Sequence, residues 1–232
     1  MERFRELEES LASARNRIAK ACEQYGRKNV ELMVVTKTYP VSDIEILYQL
    51  GVRSVGENRD QEGRVKAEQL PSDLMWNMIG QIQSKKINSI ARWAQVIQTC
   101  DRLSLVDQFS RAAHAAAKNI GLMIQVSLDP ATPIGRGGAQ PDQVSALAAA
   151  IDQAPGLDLL GLMAVAPHPT TGIAPTDAFS ELARISASLT AKYPAATQIS
   201  AGMSEDLEPA IAHGATQVRL GSAILGAREV VQ

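Results

Sequence analysis

The chain has 232 residues, 45% of them hydrophobic, and a formal net charge of −2 from 23 basic and 25 acidic side chains. That length suits one large α/β domain or two small ones, the apolar content is ample for a core, and the near-balanced charge argues against an electrostatic grip on nucleic acid. Cys22 and Cys100 have neither disulfide-framework nor metal-ligand spacing, no apolar run has membrane-span length, and the amino-terminal MERFRELEES is too charged for a signal peptide. The expectation is a soluble, cytoplasmic protein with no metal and no membrane partner.

In chain order, Phe4, Leu7, Leu11, Ala14, Ile18, Cys22 and Tyr25 recur at spacings of three and four. They form the apolar stripe of a helix from residue 2 to about 26, closed by Gly26. So few heptads favour a helix docked on its own domain over a coiled coil, which makes a monomer the simpler expectation. Next, Leu32-Met33-Val34-Val35-Thr36 reads as a strand buried on both faces. Thr38-Tyr39-Pro40 stops it, because proline has no donor for a continuing ladder. Further strands are expected at 53–57, 75–80, 95–99, 121–128, 158–165, 197–201 and 217–220. Helical stretches lie near 42–50, 60–69, 81–93, 103–118, 140–153, 175–192 and 204–213. Eight strands with helical crossovers spell an α/β fold, a single (β/α)8 TIM-type barrel with an extra N-terminal helix. The barrel domain is expected to occupy 1–232, with 1–26 packed on it.

This topology gives Lys37 its interest. A lysine at the C-terminal mouth of a buried strand is costly unless it is used; desolvation there favours an uncharged, nucleophilic amine suited to Schiff-base chemistry. The plain alternative is a side chain that snorkels to solvent. Other strand ends also carry polar residues, and barrels of this type build their sites there. Gly56-Glu57-Asn58 follows the second strand; Asn58 suits a cofactor ring and Glu57 the orienting of a base, or both serve the following helix start. Ser200-Ala201-Gly202-Met203-Ser204 reads as half of a phosphate cradle or as an ordinary strand–loop–helix junction, with Ser204 as helix N-cap and Pro209 forcing a kink or a 3₁₀ start. Arg219-Leu220-Gly221-Ser222 offers the other half, with backbone and hydroxyl donors at Gly221 and Ser222 and an arginine able to enter the mouth. The loop Pro133–Gly138 is a plain loop or a lid, and has the wrong spacing for a dinucleotide fingerprint. His114, His168 and His213 pair with nothing at metal spacing.

Six ordered motifs then carry a resemblance over nearly the whole chain. They are Val35-Thr36-Lys37-Thr38, Val55-Gly56-Glu57-Asn58, Trp76 with Ile79-Gly80 and Gln83-Ser84, Gly161-Leu162-Met163-Ala164, Gly202-Met203-Ser204-Glu205-Asp206 and Val218-Arg219-Leu220-Gly221. In these the chain resembles the pyridoxal phosphate homeostasis proteins, which look like the barrel domain of alanine racemase standing alone. It departs from the family's usual pattern at Asn77, where a histidine is common, at Lys85-Lys86 after Ser84, and at Ala201. The resemblance implies that Lys37 forms an aldimine with pyridoxal 5′-phosphate (PLP). It further implies that Arg219 approaches the pyridine nitrogen, that Asn58 approaches the ring, and that Ser200, Gly221 and Ser222 hold the phosphate, with Gly202 and Met203 in the same cofactor site.

The function so implied is that of a non-enzymatic protein that holds PLP, buffers it and hands it to PLP-dependent apoenzymes. The alternative is an amino-acid racemase using the same lysine. Two-base racemization needs a second base on the opposite ring face, which in alanine racemase is a tyrosine from an additional domain and a second subunit. The expectation is that no such domain follows Gln232. Of the four tyrosines, Tyr25, Tyr39, Tyr48 and Tyr193, only Tyr39 is near the mouth, and it neighbours Lys37. A third reading, a Schiff-base aldolase for a sugar phosphate, keeps the lysine but has no use for the arginine strand.

Overall fold

The apolar stripe at the amino terminus becomes α1 (Glu2–Gln24), which lays Leu7, Leu11, Ala14, Ile18 and Ala21 against the rest of the chain. Each large aliphatic side chain so buried contributes about 1.5–3 kcal/mol relative to an exposed one. The helix ends in a reverse turn in which Arg27 N–H donates to Cys22 O at 2.8 Å. The structure is a computed structural model and describes residues 2–129 and 137–226. The loop expected at Pro133–Gly138 therefore falls outside the described residues except for Gly137 and Gly138.

Eight parallel strands follow: β1 (Glu31–Val35), β2 (Ser54–Glu57), β3 (Met75–Met78), β4 (Val96–Cys100), β5 (Ile120–Gln125), β6 (Leu157–Met163), β7 (Gln198–Ser200) and β8 (Gln217–Leu220). They close in sequence order, and β8 returns to β1 with Met33 opposite Arg219 and Val34 opposite Leu220. Around them run α2 (Val41–Gln49), α3 (Asp60–Ala67), α4 (Ile87–Trp93), α5 (Leu103–Ala115), α6 (Val144–Gln153), α7 (Pro175–Lys192), α8 (Leu207–Ala212) and α9 (Ser222–Leu225). The expected (β/α)8 barrel with its extra N-terminal helix is the fold observed.

Two helix starts differ from the sequence reading. The helix expected over 81–93 begins with a 3₁₀ turn at Ser84–Lys86 and becomes α-helical only at Ile87. The backbone before it is held extended, because Thr99 Oγ1 donates to Gly80 O at 2.7 Å and Arg102 Nη2 to Ile82 O at 2.9 Å. The helix expected over 204–213 starts at Leu207, and its N-cap position is Asp206 rather than Ser204. This start places Pro209 in the first turn, where its missing N–H has no intrahelical partner to lose.

In a parallel ladder, residues in register share a face. Met33 pairs with Arg219, Gly56 with Asn77, Met163 with Ser200 and Ser200 with Gln217. These residues line the barrel interior, while Val34, Val55 and Leu220 face the helices.

Candidate functional site

Lys37 follows directly on β1 and is half-buried. Thr36 N–H still donates to Gly56 O at 3.0 Å, so the ladder and its alternation reach the lysine. That alternation runs Met33, Val35, Lys37 on the face that carries Arg219. The next residue, Thr38, has φ +71°, an uncommon conformation for a β-branched residue. Its N–H donates to Glu62 Oε2 at 2.8 Å, so α3 fixes the turn by which the chain leaves the lysine.

Glu57, read from the sequence as a possible orienter of a base, lies on the other face of the sheet, where it meets Lys66 of α3. Its Oε1 accepts from Thr36 Oγ1 at 2.7 Å and from Lys66 Nζ at 2.8 Å, and Lys66 Nζ also donates to Thr36 O at 2.8 Å. Glu57 is fully buried, its Oε2 has no hydrogen-bond partner, and burial holds its carboxyl above the ordinary range although Lys66 and Thr36 pull the other way. This group braces the strand end before Lys37 rather than facing the mouth. Asn58 is half-buried and lines a polar cleft of about 450 Å³ with Gln81, Gln83 and Glu62. Its backbone crosses β3 closely: a Cβ on Gly80 would stand 2.1 Å from Asn58 O, so only glycine fits there.

Opposite, Arg219 is 5% exposed. Its Nη1 donates to Ser200 O at 2.7 Å and to Ser200 Oγ at 2.8 Å, and its Nη2 donates to Ala164 O at 2.7 Å. Burial lowers its pKa to about 10, offset in part by Asp206, so the guanidinium remains charged at neutral pH. Its Nε–H and second Nη2 hydrogen make no hydrogen bond to the described residues. Ser200, expected at a phosphate, is fully buried, and its hydroxyl serves the arginine and Gln217.

Gly202 has φ +92°, and a Cβ there would stand 2.7 Å from that of Ala210, so a side chain is excluded twice over. Met203 is partly exposed, but its N–H donates to Asp206 Oδ1 at 2.5 Å, closing the turn before α8. Arg17 of α1 grips the same turn, donating to Ser204 O at 2.7 Å and, from two nitrogens, to Glu208 at 2.6 Å each. Gly221 and Ser222 open α9, with Gly221 O accepting from Ile224 and Leu225 N–H at 2.9 Å each. The far end of α9 is tied down by Arg3, which donates to Leu225 O at 2.9 Å, and by the Tyr39 hydroxyl, which donates to Gly226 O at 2.7 Å.

The structure thus brings Lys37, Ser200, Gly202, Arg219 and Gly221 to the ends of β1, β7 and β8. Sequence reasoning missed Arg17, Lys66, Gln98, Gln217 and the closing role of Asp206. A cleft of about 500 Å³ between α1 and the starts of β1 and β2 lies at the other end of the barrel, away from these groups. The C-terminal mouth, where such barrels carry their chemistry, remains the candidate site. Among the described residues no three His, Cys, Asp or Glu side chains gather as a metal site, and no helix is long and apolar enough to cross a membrane. Burial pushes the Cys100 thiol up to about 12, which leaves it unreactive.

Residues 10–229 match the family described as alanine racemase, N-terminal domain. A pyridoxal phosphate homeostasis protein of Corynebacterium glutamicum is 44% identical over 86% of this chain and 91% of its own. One from Mycobacterium tuberculosis is 37% identical over 99% of this chain and 95% of its own. Among solved structures, PipY of Synechococcus elongatus PCC7942, determined with PLP bound, superposes with a TM-score of 0.82 at 30% identity, covering 95% of this chain and all of PipY.

Proposed function

The chain belongs to the pyridoxal phosphate homeostasis protein family, and we propose that it holds PLP at the barrel mouth, buffers the free aldehyde and yields it to apoenzymes. The observation that carries this reading is the state of Arg219: a buried, charged, donor-only group, pinned from one side and with two N–H groups left over. That donor set fits a pyridine nitrogen, which is an acceptor. Lys37 supplies the amine for reversible covalent attachment of the aldehyde. Gly221 and Ser222 at the start of α9, with the Gly202–Met203 turn, are the proposed phosphate cradle, and Asn58 flanks the ring. In this arrangement Ser200 acts through Arg219, since its hydroxyl is already taken.

PLP supplies an electron sink when bound. A charged guanidinium at the ring nitrogen keeps that nitrogen unprotonated and the sink weak, which favours holding over turnover. The tyrosines support the same conclusion: the Tyr39 hydroxyl is committed to Gly226 O and that of Tyr48 to Asp73, so neither is poised as a second base. We further propose a single barrel unit, monomeric and cytoplasmic, because α1 spends its apolar stripe within the chain and both thiols are unpaired.

A spectrophotometric titration with PLP tests the reading. Saturation at one equivalent, with no inversion of added L-amino acids on prolonged incubation, is expected. Failure to saturate would overturn the holding role, and steady racemization would overturn the non-enzymatic one.

A further inference from the structure

Behind Arg219 the barrel interior is crossed by four neutral polar side chains, each 6% exposed or less: Ser200, Gln217, Gln98 and Asn77. Ser200 Oγ donates to Gln217 Oε1 at 3.0 Å, and Gln98 Nε2 donates to the same oxygen at 2.7 Å and to Asn77 Oδ1 at 3.0 Å. Asn77 Nδ2 in turn donates to Val55 O at 3.1 Å. The run joins β8, β7, β4 and β3 and ends on a β2 carbonyl.

Its direction is fixed at both ends. A guanidinium can only donate, so Ser200 Oγ accepts from Arg219 and has its own hydrogen to give to Gln217 Oε1. The Val55 carbonyl can only accept, so Asn77 turns its nitrogen there and presents its oxygen inward. Gln98 therefore faces an acceptor on either side and must give both amide hydrogens. Its Oε1 is left without a partner, one of two buried side-chain atoms so left among the described residues. Flipping the Gln98 amide would set its oxygen against two acceptors, so the orphan oxygen is the smaller penalty.

We propose that Gln217, set by Gln98 and Asn77, is a positioning residue for Arg219: by taking the Ser200 hydroxyl hydrogen it keeps that oxygen turned to the guanidinium and so aims the remaining Arg219 donors at the cofactor's ring nitrogen. The inference rests on the reading that Arg219 meets that nitrogen. No member of the run titrates near neutral pH, so the aim of the arginine is insensitive to pH there.

The test compares wild type with Gln217→Met, each titrated with PLP carrying ¹⁵N in its ring. Methionine keeps the volume and the neutrality of the side chain and removes the acceptor. Gln217→Met is expected to weaken PLP binding about tenfold and to move the ring ¹⁵N resonance. Wild-type affinity and resonance position in folded Gln217→Met would overturn the inference, as would lowered thermal stability with an unmoved resonance, which is the mark of a merely structural residue. Should Gln217→Met not fold, Gln98→Met removes the outer donor and is expected to move the same resonance less; an unmoved resonance there overturns the inference too. Borohydride trapping on Lys37 separates the two levels. A wild-type protein that traps no PLP refutes the underlying reading and the inference with it, whereas normal trapping with unaltered Gln217→Met refutes the inference alone.

Discussion

Two buried cations brace the barrel mouth, and their surroundings are built in opposite ways. On the outer face of β1 and β2, Lys66 meets a carboxylate: Glu57 neutralises it, and the pair with Thr36 locks the strand end that leads to Lys37. On the inner face of β7 and β8, Arg219 hydrogen-bonds only carbonyls and a hydroxyl, its neighbours Ser200, Gln217, Gln98 and Asn77 carry no charge, and the Asp206 carboxylate acts on it only through space. An ion pair consumes the charge it contains. Neutral dipoles hold a cation in place and leave its charge for a ligand. On the proposed reading the first network is therefore a brace and the second a socket.

Removing one half of the brace should have the largest effect. Glu57→Leu removes the 2.8 Å partner of Lys66, whose side chain is 9% exposed and keeps only the carboxylate of Glu62 at 3.7 Å, and a loss of about 3 kcal/mol is expected in denaturant unfolding. The double variant Glu57→Leu/Lys66→Met should recover most of it; no recovery would mean that packing rather than charge pairing is at stake. The raised Glu57 pKa adds a pH signature. Because the folded state binds this proton more tightly than the unfolded one, the contribution of Glu57 to stability falls as pH rises through its folded pKa, and is most favourable below the ordinary carboxylate range. The double variant should lack that slope in melting temperature against pH.

The socket should respond in ligand binding. Arg219→Gln is expected to weaken PLP binding about ten- to a hundredfold, since charge-assisted hydrogen bonds are lost. Unchanged affinity would reduce Arg219 to a second brace and erase the contrast. The smallest effect belongs to the turn between the two networks. Thr38→Gly relieves a left-handed threonine at the cost of a more flexible unfolded chain, with a net gain of about 0.5 kcal/mol expected in chemical denaturation. A clear loss would show that the threonine side chain itself holds the turn.

The barrel was legible in the sequence because its signals are local: apolar runs such as Leu32–Val35, the stripe of α1, and prolines and glycines at the breaks. Lys37 and Arg219 stood out as candidates because a charge at the end of an apolar strand is conspicuous. The brace and the socket were not, since both depend on partners far apart in the chain. Lys66 reads as a solvent-facing helix residue until α3 lies on β2, and Gln98 meets Gln217 across 119 positions. One signal was available: Gln217 and Arg219 sit two apart in a strand, so they share a face. Ser204 was read as a cap because its type is favourable there, but Pro209 permits the helix only from Leu207.

The most direct measurement is borohydride reduction of the PLP-loaded protein, followed by peptide mass spectrometry. The account predicts a single stable adduct on Lys37. An adduct on another lysine, or one spread over surface lysines, would contradict it.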